Sequence, residues 1–505
     1  MLYTSTRGNY GPLPAAGAIK LGIAPDGGLF VPTDRVMLSV EDIQAMTHMS
    51  YQQRAANILG PYLADFTPNE IKRSVDNAYD AGSFDHPDVA PLVDLDAGLS
   101  VLELWHGPTC AFKDMALQIL PHLLVKSMEK TDEDAGILIL VATSGDTGKA
   151  ALEGFKDVPR TAIMVFYPEK GVSQVQKMQM VTQEGGNVGV YAVRGNFDDT
   201  QSGVKAIFGD ADMQHAAAER GYKFSSANSI NWGRLVPQIV YYFSAYADLL
   251  ARKRVQPGEA VNFVVPTGNF GNILAGFYAK QMGLPVHRLV CAANENNVLT
   301  DFIATGTYDR NRDFKRTISP SMDILISSNL ERLLYELTGH DAARVRQWMA
   351  DLMAKGRYTV DDETREQVQS LFWSEYADDT ATMSSIKDTH RRYGYVVDTH
   401  TAVGLYVYHR YRQSTGDERP TVVLSTASPF KFNASVARAL LGEEQTSGRD
   451  EFELLQMLSD FSGLPVPPGL SGLSRRPVRH TTVVDREQMP QAVLNFVAQN
   501  QQRRN

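Results

Sequence analysis

The chain has 505 residues, 43% apolar and 21% charged, an ordinary balance for a globular protein with room for two or three domains. A net charge of −9 and a pI near 5.7 give no bulk attraction to nucleic acid or an anionic membrane, so an anionic ligand must be caught by local groups. Two cysteines, Cys110 and Cys291, exclude a disulfide framework and a four-thiolate zinc site, and they suit a reducing, cytoplasmic setting. The opening MLYTSTRGNYGPLP lacks a basic-then-apolar signal pattern, and no apolar run reaches membrane-spanning length.

Residues 1–95 read as a mostly helical domain after a short strand-and-turn opening. Ser39-Val40-Glu41-Asp42 predicts an N-cap with first-turn acids, and Thr67-Pro68-Asn69-Glu70 a second helix start with proline at its first position. The proline-rich run Phe84 to Leu92 reads as a linker. Apolar, β-branched runs then recur at Gly136–Thr143, Thr161–Tyr167, Val188–Val193, Ala260–Val265, Arg288–Ala292 and Thr421–Leu424, with amphipathic stretches such as Gly233–Arg254 and Asn272–Met282 between them. Continuous rather than alternating apolar strands predict sheets covered on both faces, and strand–helix alternation an α/β architecture with mostly parallel sheets. Ser327 to Gly394 is rich in helix formers and predicts a helical insertion without strands. After Leu441 the pattern predicts a helix at Glu451–Leu458, a loop with prolines and arginines, and a final helix at Glu487–Val497. The expected division is a domain at 1–95, a large α/β domain from 96–135 plus 235–445 with its insertion at 327–394, a small α/β domain at 136–234, and C-terminal helices and tail at 446–505.

Ligands of open α/β sheets sit beyond the carboxyl ends of the strands, and several unusual segments fall there. WHGPTCAFKDMALQ (Trp105–Gln118) places Lys113 between a strand-like and a helix-like run. It is either a solvated surface lysine or, given its apolar neighbours, a desolvated amine able to act as nucleophile and base. Pro266-Thr267-Gly268-Asn269-Phe270-Gly271-Asn272 joins a strand to a helix; its glycines and the helix N-terminus suit a phosphate, and the plain alternative is a capped helix entry. Thr143-Ser144-Gly145-Asp146-Thr147-Gly148-Lys149 tempts a nucleotide P-loop reading, but Thr143 and Ala150 stand where that motif needs glycine and a hydroxyl residue. It remains a turn suited to a carboxylate or phosphate, or simply a cap. Asn228-Ser229-Ile230-Asn231-Trp232-Gly233-Arg234 brings amides, a hydroxyl and an arginine with fixed donor geometry before a long helix. Leu424-Ser425-Thr426-Ala427-Ser428-Pro429 offers hydroxyls at a strand end. His106 is either a proton shuttle or bound to its neighbours, Cys110 reactive or a small buried residue. The histidines show no zinc spacing.

Several of these segments, with STRG (Ser5–Gly8), APDGGLFVP (Ala24–Pro32), GGNV (Gly185–Val188), GNFDDTQ (Gly195–Gln201), NSINWGR, PTGNFGNILAGFYAKQMGLP and LSTASPFKF, resemble the threonine synthase family, pyridoxal-phosphate enzymes that end threonine biosynthesis. The resemblance covers nearly the whole chain and fits the longer bacterial and fungal subgroup. It implies a fold-type II pyridoxal enzyme, like tryptophan synthase β, with two α/β domains, pyridoxal 5'-phosphate between them and an N-terminal domain. By motif position Lys113 would form the Schiff base, preceded by Phe112; Gly268, Asn269, Phe270, Gly271 and Asn272 would hold the cofactor phosphate; Thr426 would bond the pyridine nitrogen. Ser144, Gly145, Asp146 and Thr147 would bind the region of the substrate α-carboxylate, and Asn228, Ser229 and Arg234 the phosphate of O-phospho-L-homoserine, with no metal involved. Ser428 departs from the family, where histidine often stands. The implied assembly is a monomer or homodimer. The rivals are a phospho-lyase of the same fold that yields a keto acid and ammonia, a nucleotide-binding protein built on SGDTGK, and a non-catalytic binding protein.

Overall fold

The computed structural model describes residues 1–143 and 145–504. Ser144, one of the expected substrate-loop residues, lies outside the described residues. Two sheets organise the chain. The larger has six strands in the order Phe372–Tyr376, Val286–Ala293, Val261–Pro266, Thr421–Ser425, Leu99–Glu103 and Leu92–Asp94. All its neighbours run parallel except the Leu92–Asp94 edge, which is antiparallel to Leu99–Glu103. The smaller has five parallel strands in the order Val483–Val484, Val188–Val193, Thr161–Pro168, Gly136–Ala142 and Tyr222–Ser225. Every residue of Leu99–Glu103, Val261–Pro266 and Thr421–Ser425 is buried, as expected where helices cover both faces and strands read as unbroken apolar runs.

These three central strands are adjacent and parallel, with Val101 and Val264 both in register with Val423. Their carboxyl ends therefore open on one edge. The Lys113 turn follows the first, the Gly268 turn the second and Thr426 the third, so a shared direction of three strands assembles segments more than 300 residues apart in sequence.

The N-terminal region forms helices at Val40–Ala45, Tyr51–Tyr62 and Pro68–Ala78, each begun by a reciprocal capping box, at Ser39, Ser50 and Thr67. The Ser50 box has a glutamine partner, Gln53, in place of an acid. Phe84, Val89 and Ala90 are buried, so the proline-rich stretch is packed rather than a loose connection. The helix Trp232–Ala251 is buried along nearly its whole length, and the Trp232 ring packs against Tyr3, Tyr62 and Tyr278 at 5.4–5.6 Å between centroids. That contact ties the N-terminal region to the large sheet.

Two sequence expectations are corrected. Residues 327–394 are not free of strands: Arg357–Thr359 pairs with Thr307–Asp309, and Phe372–Tyr376 forms the edge of the large sheet against Val286–Ala293. Its single-sided exposure lets Trp373, Ser374 and Glu375 sit in a strand that has no β-branched run to announce it. The C-terminal segment is not helices and loop alone. Val483–Val484 adds a strand to the small sheet, and Met489, Val493, Phe496 and Val497 of the last helix pack with Leu138, Leu140, Ala162 and Phe166 beneath it. No helix among the described residues is long and apolar enough to cross a membrane.

Candidate active site

The turn after Leu99–Glu103 is fixed before it reaches its lysine. Trp105 Nε1 donates to Ser425 Oγ at 3.1 Å. His106 lies between two carboxylates, Nδ1 at 2.6 Å from Asp85 and Nε2 at 2.7 Å from Glu103. Burial opposes its charge, but the two carboxylates outweigh it and raise the imidazolium pKa to about 9. His106 is thus a charged clamp with both nitrogens engaged, and the shuttle alternative falls. Asp114, fully buried, accepts from the Thr109 amide at 2.8 Å and its hydroxyl at 2.7 Å, closing the turn. Gly107 is required here, because a Cβ would lie 2.5 Å from that of Asp114. Cys110 takes a left-handed φ of 60°, and burial pushes its thiol up to about 12; it is a small buried residue and not a reactive one.

The turn is stitched to the strand end at Thr426. Ala111 bridges Ala427, and the Phe112 amide donates to the Thr426 carbonyl at 2.8 Å. Lys113 then opens the short helix Asp114–Leu117. Its side chain is 13% exposed, with Nζ 3.5 Å from Ser321 Oγ and 3.6 Å from Asp146 Oδ2. Burial pushes the Lys113 ammonium below its usual range; Asp146 opposes that, while Lys431 and Arg234 reinforce it. The choice left open in the sequence is settled against a solvated lysine.

The segment after Val261–Pro266 makes a cradle. Phe270 adopts φ 62° and precedes the helix Gly271–Gln281, whose first-turn amides have no partner within the helix. Asn272 is buried; its Oδ1 accepts from Tyr241 at 2.6 Å and Tyr242 at 3.0 Å, while its Nδ2 has no partner. Gly268 leaves little room for a side chain, since a Cβ would lie 3.3 Å from both Met322 Cα and the Ser321 carbonyl oxygen. Asn269 is exposed, and its carbonyl accepts from Asn329 Nδ2 at 3.1 Å. An orphaned buried amide, a helix N-terminus and a glycine floor fit a phosphate group, and the neighbouring desolvated amine fits the aldehyde of pyridoxal phosphate.

The Thr143–Lys149 turn faces Lys113 from the other sheet. Thr143 Oγ1 accepts from the Gly145 and Gly148 amides at 3.0 and 3.1 Å. Asp146 is buried with both oxygens occupied: Oδ1 faces Gln176 Nε2 at 2.7 Å and Lys431 Nζ at 3.1 Å, and Oδ2 accepts from Ser321 Oγ at 2.7 Å. Thr147 is half-buried beside it. Lys149 pairs with Glu153 at 2.7 Å and with Gln183, so it is not a phosphate lysine and the nucleotide reading fails. Arg234 is buried and donates from Nη1 to the Ala227 carbonyl at 2.7 Å, while Nε has no partner. Burial lowers its pKa to about 10, which leaves it cationic near neutrality. Ser229 is half-buried, its carbonyl 3.3 Å from Asn329 Nδ2, and Asn228 is exposed.

Four residues of this constellation went unseen in the sequence. Ser321 links Lys113 to Asp146, and its amide donates to His400 Nε2 at 3.1 Å, with His400 Nδ1 2.8 Å from Asp398. Asn329 braces the cradle. Lys431 reaches Asp146 from the short helix Pro429–Phe432, which Ser428 caps. The one available signal was the repeated Phe-Lys pair, Phe112-Lys113 and Phe430-Lys431, each after a proline turn and a strand.

A desolvated lysine and a glycine-floored phosphate cradle at the carboxyl edge of a parallel sheet, with a second α/β layer facing them, define a fold-type II pyridoxal-phosphate enzyme. The comparisons with known proteins agree. Residues 2–79 match the family model for the threonine synthase N terminus, 87–427 that for pyridoxal-phosphate dependent enzymes, and 401–497 that for the threonine synthase C-terminal region. The chain is 39% identical to threonine synthase of Pseudomonas aeruginosa over 88% of its own length and 91% of that protein's. It is 38% identical to human threonine synthase-like 1 over 89% of its own length but only 60% of that longer protein's. A PLP-bound threonine synthase structure from Brucella melitensis superposes with a TM-score of 0.87 at 37% identity, covering 99% of both chains. The chain belongs to the threonine synthase family, and its cofactor is pyridoxal 5'-phosphate.

Proposed function

We propose that the protein converts O-phospho-L-homoserine and water to L-threonine and phosphate, with Lys113 as its working amine. The observation that carries the choice of a phosphorylated substrate is Arg234, a buried cation with an unpartnered Nε whose charge acts on Lys113. A buried donor of this kind costs stability unless a ligand satisfies it, and a guanidinium matches a phosphate.

Bound pyridoxal phosphate supplies an electron sink for the substrate's α-carbon. Gly268 and Asn269–Asn272 would hold its phosphate, with Phe112 beside it and the Thr426 hydroxyl as the partner of its ring nitrogen. Lys113, whose ammonium burial disfavours, takes the proton from Cα and then moves protons at Cβ and Cγ. The developing charge on the leaving phosphate falls to Arg234, with Asn228 and Ser229 beside it. Water adds at Cβ and returns the hydroxyl of threonine. Gly145 and Thr147 would receive the α-carboxylate, the role the family resemblance also gives Ser144, while Asp146 of the same loop acts on Lys113. Ser321 and its loop roof the lysine and keep water out until the addition step.

Purified enzyme given pyridoxal phosphate and O-phospho-L-homoserine should release threonine and inorganic phosphate in equal amounts. A keto acid and ammonia in place of threonine would replace this reading with that of a phospho-lyase.

A further inference from the structure

Two buried lysines share one carboxylate in this site. Lys431, fully buried, donates from Nζ to the Thr109 carbonyl at 2.7 Å and lies 3.1 Å from Asp146 Oδ1. Lys113 stands farther off, 3.6 Å from Oδ2, and that oxygen has a nearer partner in Ser321 Oγ at 2.7 Å. We infer that Lys431 is a positioning residue for the reaction: it occupies the charge of Asp146 and so leaves the Lys113 amine available as nucleophile and base.

The physical case rests on counting charges in a place water does not reach. A buried aspartate with Lys113 as its only cation would hold that lysine protonated, and a protonated amine neither attacks an aldehyde nor takes a proton. A second lysine seated on Asp146 Oδ1 removes that obstacle. It also protects Asp146 when Lys113 gives up its charge, since an uncompensated carboxylate would otherwise be stranded there. The electrostatics agree with the distances. Burial alone would raise the Asp146 carboxyl, but Lys431 first, then Lys113, the Ser321 hydroxyl and His400, hold it well below the usual carboxylate range. The titratable and charged groups facing this pair are Arg234 from the long helix, His400 from Thr399–Thr415, and, on and behind the lysine turn, the Cys110 thiol, Asp114 and the Lys149–Glu153 pair. Lys431 is also placed with care. Ser428 caps the helix that carries it, with the Lys431 amide donating back to the Ser428 carbonyl at 3.0 Å. Its Thr109 contact lands on the same turn that Asp114 closes beneath Lys113.

The inference rests on Lys113 being the working amine, and its test uses no substrate, so a wrong substrate leaves the result untouched. In cofactor-free enzyme, the pH dependence of Lys113 acylation, read by mass spectrometry against an exposed lysine, gives a midpoint for that amine. Lys431→Met should move the midpoint up by about one pH unit, as expected when a like charge departs and an opposite one is freed. Asp146→Asn should move it down, and Lys431→Arg should leave it near the wild-type value. In the holoenzyme the pH at which the visible band of the bound cofactor titrates should shift upward in Lys431→Met in parallel. If Lys431→Met does not fold, Lys431→Gln, which can still donate to the Thr109 carbonyl, carries the same prediction. An unmoved midpoint in the uncharged variant, whatever its activity, overturns the inference and makes Lys431 a structural pillar; so does a midpoint that rises in Asp146→Asn.

Discussion

The turns Pro266–Asn272 and Thr143–Lys149 are alike as strings, each a glycine-rich passage from a buried parallel strand into a helix. Their surroundings separate them. In the first, the polar groups are left over: the Asn272 amide has no partner and the helix amides open on the cleft. In the second, the amides of Gly145 and Gly148 are spent on Thr143 and the charge of Asp146 is spent on two lysines and a serine. A glycine-rich turn is ready for a cofactor phosphate where the fold leaves its donors unsatisfied. On the proposed function the two sides of the cleft do different work: the large sheet would hold the cofactor, and the small sheet would meet the substrate carboxylate and set the charge of the lysine.

The largest effect should come from removing the amine between the two turns. Lys113→Ala should abolish the visible absorbance that pyridoxal phosphate gains on binding covalently, and it should lower turnover by at least about a thousandfold. A variant that keeps both the band and the activity would show that another amine holds the cofactor. Next is Arg234→Ala. Losing a charge-assisted contact costs about 1.5–3 kcal/mol, so kcat/KM for phosphohomoserine should fall roughly ten- to hundredfold, while the cofactor affinity holds. Equal losses for both would move Arg234 out of the substrate site.

A direct contrast of the turns uses glycine. Gly268→Ala forces a methyl to 3.3 Å from the backbone of Met322 and Ser321, which cannot swing aside. Cofactor affinity should weaken by about tenfold, a cost of about 1.4 kcal/mol. Gly148→Ala instead presses on the Thr143 methyl and should cost global stability, about 1–3 kcal/mol by overpacking, with no selective loss of cofactor. A cofactor titration and a urea midpoint for each variant decide the matter; matching profiles would erase the distinction.

The same contrast explains what the sequence could reveal. The β-branched runs mark six of the strands, and Lys113 and the Gly268 turn stand out because their function is written in consecutive residues. Phe372–Tyr376 was hidden because an edge strand needs only one covered face and its neighbours are helix formers. Val483–Val484 was hidden because two residues carry no period, and only packing of the final helix under the small sheet draws them in. Ser321 and Lys431 act on Asp146 from 175 and 285 positions away in the chain, and their roles exist only after the loops converge. The sequence therefore places Asp146 within the expected substrate loop but does not reveal that its charge is already taken.

The smallest effect concerns the clamp at the root of the lysine turn, which belongs to neither glycine turn and tests whether the large-sheet side is held rigid by charge. His106 has its pKa raised to about 9 by Asp85 and Glu103 against the opposing effect of burial. A cation whose folded pKa exceeds its unfolded value of about 6.5 stabilises fully below the unfolded value and loses that contribution as pH rises through the folded one. With Asp85 32% exposed, solvent screening trims the contribution to about 2 kcal/mol. Wild type should thus exceed His106→Asn in urea midpoint by a wide margin near pH 6 and by a small one near pH 10, if linkage governs the difference. A gap that stays constant between those pH values would mean that stacking against Trp105, at 4.2 Å between ring centroids, and not charge, is what His106 contributes to the turn.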